Sequence, residues 1–192
     1  METLAIVIDN PGQLDLRKVV LREPAPNDVI VETHCSGVSS GTERLFWNGE
    51  MPFFPGMGYP LVPGYETVGV VVDNRGSYKF KVGDHVFVPG ANCYEKEKGL
   101  FGASSSLLLA SDEKLIKIDS ELKAKGTLFA LAATARHALA GLGNRLPSLI
   151  VGHGVLGRLL ARLTIAAGGE PPTVWESNPL RVGHQTDYKV ID

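Results

Sequence analysis

A strand, a glycine-rich turn and a breaker-free helix follow one another between Leu149 and Ala167, and they constrain the fold more than any other feature. Leu149-Ile150-Val151 reads as a short buried strand, and Val155 to Ala167 as a helix rich in Leu, Ala and Arg. Between them stands Val151-Gly152-His153-Gly154-Val155-Leu156-Gly157, with glycines at the spacing of a dinucleotide-binding turn. Gly152 lets the chain turn sharply off the strand. Gly154 has no side chain where a pyrophosphate must approach the backbone, and Gly157 lets the helix pack closely on the sheet. Unpaired N–H groups at the helix start then face the phosphates. The bland alternative is a tight structural turn that binds nothing.

The surroundings favour the binding reading. Thr173-Val174-Trp175-Glu176 supplies a second strand, and Glu176 falls about 20 residues past the last glycine, where a ribose-binding carboxylate is expected. Candidate cofactor contacts are therefore Gly152, His153, Gly154, Val155, Leu156, Gly157 and Glu176. A carboxylate there accepts hydrogen bonds from both ribose hydroxyls and repels a 2′-phosphate, which favours NAD over NADP. Arg181, a few residues later, joins the candidate set and pulls the other way.

Composition narrows the partners. The 192 residues carry a formal net charge of −2, so electrostatics gives no reason to propose nucleic acid or an anionic membrane surface. The first eight residues, Met1 to Ile8, form a strand-like run with an acid near its start and do not read as a signal peptide. No window reaches the apolar length of a membrane span, so no stable membrane insertion is expected. Cys35 and Cys93 are too few and too far apart for a disulfide framework, which makes a reducing cytoplasmic setting the default. A homodimer is compatible with all of this.

Along the chain, residues 1–118 are strand-like and turn-rich. Candidate strands are Leu4 to Ile8, Asp28 to Ser36, Glu66 to Val72, His85 to Val88, Ser105 to Leu109 and Leu115 to Lys117. Punctuation such as Asn10-Pro11-Gly12 and Val82-Gly83-Asp84 separates them, suggesting a closed or sandwich-like β domain. Residues 119–147 read as linking helices: Glu121 to Leu142 is Ala- and Leu-rich, with a break expected near Gly126 and an end at Gly141-Leu142-Gly143-Asn144. From 148 to 192, strand, helix, strand, loop and a last strand over Tyr188 to Ile191 alternate, which implies a parallel sheet. That is one half of a doubly wound dinucleotide domain, so the expectation is a truncated piece of a longer enzyme, with the apolar edge of its first strand exposed.

Pro60 to Val72, Phe80-Lys81-Val82-Gly83-Asp84-His85-Val86 and Ala133-Thr134-Ala135-Arg136-His137-Ala138-Leu139 together resemble the medium-chain dehydrogenase/reductase superfamily. The resemblance covers the whole chain. It implies an α/β architecture, with a GroES-like β-rich front followed by an incomplete Rossmann-type parallel sheet. Longer runs are similar to the family of bacteriochlorophyllide a dehydrogenases: Ser39-Ser40-Gly41-Thr42-Glu43, Trp47 to Pro52, Phe54 to Glu66, Pro89-Gly90-Ala91-Asn92-Cys93, Leu131 to Ala138 and Ile150 to Gly154. That similarity implies oxidation of a 1-hydroxyethyl group on a bacteriochlorin to acetyl, with a nicotinamide cofactor and a tetrapyrrole substrate.

The sequence departs from the zinc enzymes of the superfamily. Ser39 stands where the first zinc cysteine is expected, Tyr65 where the histidine is expected, and the structural four-cysteine cluster is missing, so no zinc is expected. His34 and Cys35 are neighbours on a candidate strand, whose alternation would send them to opposite faces and keep them from sharing a metal. Proton chemistry then falls to side chains. The catalytic candidates are Thr42, with Ser40 competing for the same role, Tyr65, Glu66 and His137. Each has a plainer reading as a turn, packing or ion-pair residue. Trp47, Phe53, Phe54, Met57 and Tyr59 belong to a loop dense in aromatics and Met, which either folds onto the core or lines an apolar substrate site. Two rivals remain open: a zinc-free NADPH-dependent quinone or enone reductase of the same superfamily, and a non-catalytic module that holds a tetrapyrrole or a nucleotide.

Overall fold

The computed structural model describes residues 1–143, 145–183 and 187–192; Asn144, at the expected end of the linking helices, lies outside the described residues. The chain divides into two compact units, Met1–Leu128 and Phe129–Asp192.

In the first unit, β1 (Glu2–Asn10) turns back through Pro11-Gly12 into β2 (Gln13–Val20), forming a long antiparallel hairpin. Next come β3 (Asp28–Ser36), the short helix α1 (Thr42–Asn48), β4 (Leu61–Val62), β5 (Thr67–Asp73) and β6 (His85–Val88). The unit continues with β7 (Lys98–Gly99), β8 (Leu107–Ser111) and β9 (Ile116–Lys117). Two sheets result, one ordered β2-β1-β4-β7 and the other β8-β3-β5-β6-β9. Their inner faces share a core of β-branched and aliphatic side chains, with Val7 and Val62 from the first sheet against Val29, Val31, Val71 and Val86 from the second.

The strand expected from Ser105 begins instead at Leu107. The residues before it serve the other sheet: Ser104 O accepts from Ile6 N, and Ser106 N donates to Leu4 O. The chain thereby stitches β1 to β8 before joining its own ladder. The expected long helix also divides. A 3-10 segment at Ser120–Leu128 is interrupted at Lys123, whose φ of 46° and ψ of −131° are not helical. A regular helix, α2 (Phe129–Ala140), follows. The break sits three residues before Gly126; Gly126 itself is buried against Val68 and Ile118, where no side chain would fit.

The second unit holds α2 and then β10 (Leu149–Val151), α3 (Val155–Ala166), β11 (Thr173–Trp175) and β12 (Lys189–Ile191). The three strands are parallel, in the order β10-β11-β12. Ile150, Val174 and Ala161 form the core between sheet and helix. β10 is at one margin of the sheet, and its Leu149 and Val151 are 56% and 69% exposed. Among the described residues, no helix is long and apolar enough to cross a membrane.

Candidate functional site

The glycine turn in the second unit has the geometry its sequence implies. Gly152 adopts a φ of +97°, a region that other residues avoid. A Cβ on Gly157 would collide with the carbonyl oxygen of Gly152, so the first turn of α3 can lie against the strand end only with glycine there. Among the described residues no side chain caps the start of α3 at Gly154, and helix N-termini of this kind suit an anion. Val155 and Leu156 are 50% and 40% exposed in that turn.

Glu176 follows β11 and is buried, with both carboxylate oxygens engaged by backbone. Oε2 accepts from His153 N and Oε1 from Asn178 N, each at 2.8 Å. These two bonds, reinforced by the positive charge of Arg181, hold the carboxyl below its ordinary range. Each oxygen keeps a second lone pair able to accept a further hydrogen bond. The Asn178 side chain accepts from Leu180 N at 3.0 Å and starts the 3-10 turn Pro179–Arg181. His153, expected among the cofactor contacts, is fully buried. Its Nδ1 lies 2.6 Å from Arg181 O and its Nε2 2.8 Å from the Tyr188 hydroxyl. A carbonyl can only accept, so Nδ1 carries the proton, and in the neutral ring Nε2 accepts from Tyr188. Both ring nitrogens are thus taken up by protein.

In the first unit, Ser39 and Glu43 build the entry to α1. The Ser39 Oγ accepts from Thr42 N at 3.2 Å, while Glu43 Oε2 accepts from Ser39 N at 3.0 Å. This reciprocal pairing satisfies backbone donors as a capping box does, and it gives Ser39 a structural task. Thr42, at the start of α1, has its hydroxyl 3.2 Å from the hydroxyl of Tyr65. The Tyr65 ring is held edge-on by Phe101, with centroids 5.1 Å apart. Ser40 is exposed and bonds to neither.

Glu66 is 7% exposed and lies over Gly37, where a Cβ would strike its carboxylate. Its Oε1 has no hydrogen-bond partner among the described residues. Burial raises the Glu66 carboxyl above its usual range. Glu43 is raised too, mainly by burial and further by the Glu66 charge. Sequence reasoning missed Glu43, because its proximity to Glu66 is created by the fold. His137 is exposed in the last turn of α2, in the other unit, and its ring bonds to no described residue.

The aromatic loop splits between two roles. Phe54, Met57 and Tyr59 pack with Met51 against Ile8, Phe46, Leu61 and Leu100, and the Tyr59 hydroxyl donates to Phe46 O at 2.6 Å. They form a second small core. Phe53 points to solvent at 86% exposure, whereas Trp47 borders an open apolar groove of about 330 Å³ with Ile6, Ile8, Leu14 and Val38.

One sequence expectation is corrected. His34 and Cys35 do not fall on opposite sides of a regular strand, because the pairing of β3 with β5 shifts register between Thr33 and Cys35. This bulge places both along one cavity of about 320 Å³ with His85. The His34 and His85 rings meet edge to face at 5.7 Å. Even so, no three His, Cys, Asp or Glu side chains among the described residues gather as a metal would require. Tyr65, in the place expected for a zinc histidine, offers a hydroxyl bonded to Thr42 and no imidazole.

Residues 25–120 match the alcohol dehydrogenase GroES-like domain. The chain belongs to this alcohol dehydrogenase family. Over its whole length, the chain is 56% identical to the 2-desacetyl-2-hydroxyethyl bacteriochlorophyllide A dehydrogenase of Cereibacter sphaeroides. It is 53% identical to the enzyme of that name from Rhodobacter capsulatus. It spans 62% of the length of each of these relatives. Among solved structures, 2R,3R-butanediol dehydrogenase from Bacillus subtilis matches 94% of the chain with a TM-score of 0.75 at 23% identity, covering 59% of that structure. An Escherichia coli oxidoreductase/dehydrogenase of unknown specificity matches 95% of the chain with a TM-score of 0.77 at 21% identity, again over 59% of its own length. At these identities the structural likeness shows the shared fold of an α/β dehydrogenase with a GroES-like front.

Proposed function

We propose that this dehydrogenase chain serves the NAD-dependent oxidation of a 1-hydroxyethyl group on a bacteriochlorophyllide to an acetyl group, without zinc, in the cytoplasm. The observation that carries the reading is the 56% identity, extending over the whole chain, to a relative named for that substrate. The glycine turn with Glu176 and the paired hydroxyls of Thr42 and Tyr65 support a chemical account of it.

The residues of the second unit suit a dinucleotide. When bound, NAD supplies the acceptor for the hydride that leaves the carbinol carbon. The chain's own part is to hold it. The first-turn N–H groups of α3 receive the diphosphate, and the free lone pairs of Glu176 receive the ribose hydroxyls, which disfavours a 2′-phosphate. Zinc has no part in this reading, because Ser39 Oγ is spent on Thr42 N and Tyr65 offers a hydroxyl where zinc ligands are expected.

The hydroxyl proton of the alcohol must leave as the hydride departs. The paired hydroxyls of Thr42 and Tyr65, both half-buried, offer an acceptor and a donor in series: the alcohol oxygen would give its proton to one while the other releases a proton to solvent water. Glu66 and Glu43, both raised by burial, lie in the same unit. Trp47 and its open apolar groove offer contact area for one edge of the tetrapyrrole.

The test is anaerobic incubation with a 3-(1-hydroxyethyl) bacteriochlorophyllide and NAD, following the long-wavelength pigment band and NADH together. Both are expected to change in step. NADPH-driven quinone reduction with an unchanged pigment band would overturn the reading in favour of a zinc-free reductase.

A further inference from the structure

We infer that His153 is a positioning residue that ties the segment 177–181 to the glycine turn and so fixes Arg181 as a contact for the diphosphate of a dinucleotide. The inference rests on the dinucleotide reading above and extends it to how the anion site is built.

The argument starts from burial. An imidazole that is 1% exposed must satisfy both nitrogens internally or lose stability. His153 does so with two partners distant in sequence, Arg181 O and the Tyr188 hydroxyl, while its own backbone N–H is held by Glu176. One residue of the turn is therefore fastened to the loop after β11 and to the start of β12. The Arg181 side chain is exposed, and its guanidinium reaches to 4.0 Å from where a Cβ of Gly154 would stand. Gly154 is the position left bare for the diphosphate. A guanidinium there can give forked, charge-assisted hydrogen bonds to phosphate oxygens.

The bond from His153 reaches the backbone of Arg181, so it fixes the point from which that side chain extends. Loss of the bond frees the loop and dilutes the population with Arg181 over the turn. The effect belongs to ligands that carry a diphosphate. Adenosine, which has none, should be indifferent.

The experiment measures binding of ADP-ribose and of adenosine to the chain and to four variants: His153→Leu, which keeps much of the volume, His153→Asn, Arg181→Ala, and the His153→Leu/Arg181→Ala double. Loss of a single charge-assisted contact corresponds to about a tenfold weakening of ADP-ribose binding in H153L and in R181A, with adenosine unchanged. The double variant should be no weaker than R181A, because both substitutions remove the same contact. H153N, whose amide N–H can donate to Arg181 O, should recover most of the loss. Equal weakening of both ligands in H153L, or full additivity with R181A, would overturn the inference. Failure of the unsubstituted chain to bind either ligand would instead remove the dinucleotide reading, and the inference with it.

Discussion

The hydroxyl groups of Thr42 and Tyr65, 23 residues apart in sequence, meet at 3.2 Å because the start of α1 is pinned from one side and the Tyr65 ring from the other. Phe101 holds the ring and Ser39 holds the backbone of Thr42. A proton relay requires such fixed hydroxyls. Tyr65→Phe and Thr42→Val should each lower the rate of alcohol oxidation on the order of 10²-fold while leaving NAD binding intact. The double variant should be scarcely slower than either single one, as expected for groups that act as a unit. Single-turnover formation of NADH measures all three. Full activity in Tyr65→Phe would remove Tyr65 from the chemistry.

Glu176 is expected to choose the cofactor as well as hold the turn. Glu176→Gln removes the negative charge that opposes a 2′-phosphate and keeps one oxygen to accept from the backbone, at the loss of the second of its two backbone bonds. The ratio of NADP to NAD affinity should therefore rise, by about tenfold if the lost repulsion is worth roughly 1.4 kcal/mol. Competition titrations with the two cofactors read this ratio directly. An unchanged ratio would assign Glu176 to the turn alone.

The raised carboxyl of Glu66 has a signed consequence for stability. A carboxyl that binds protons more tightly when folded favours the native state below the unfolded value of about 4.3, and that advantage is lost as pH rises through the folded value. Above the unfolded value the unfolded chain gains by ionising more readily than the folded one, so the raised carboxyl costs stability as the pH climbs. Glu66→Gln should melt higher than the native sequence at pH 7, and the difference should narrow as the pH falls toward 4.3. Thermal melts at stepped pH values test it; a difference that widens on acidification would refute the assignment.

Phe46 anchors the aromatic loop from beneath, fully buried between Ile8, Leu61 and the Met57 and Tyr59 side chains. Phe46→Ala should destabilise the first unit by about 3–5 kcal/mol, through lost transfer energy and the cavity left behind. Phe53→Ala, at an exposed position of the same loop, should change stability by less than about 0.5 kcal/mol. Denaturant titrations of the two variants would separate the loop's packing role from any role at its surface.

Which parts of this molecule could be read from the chain alone follows from the range of the forces involved. β10, α3 and β11 were legible because three glycines, an uninterrupted helix and a terminal acid are local signals. The strand β2 was not, since Leu14 and Leu16 are 57% and 59% exposed and its form depends on pairing with β1. α1 was hidden in a short polar and aromatic stretch whose start relies on the Ser39–Glu43 exchange. Thr42, Tyr65 and Glu66 were identified by resemblance, but the contact of the first two and the company of Glu43 come from tertiary packing. The bulge in β3 was invisible for the same reason: only the partner strand reveals that His34 and Cys35 share a wall.

That bulge also sets the two thiols of the chain apart as chemical handles. Cys93 is sealed in the core, while Cys35 is partly open beside a cavity, and burial raises both thiols. A small maleimide should therefore label the folded chain slowly and at one position. A fluorophore installed there would sit against the 3-10 segment that carries Lys123, turning an irregular pairing of strands into a vantage point for watching that segment in solution.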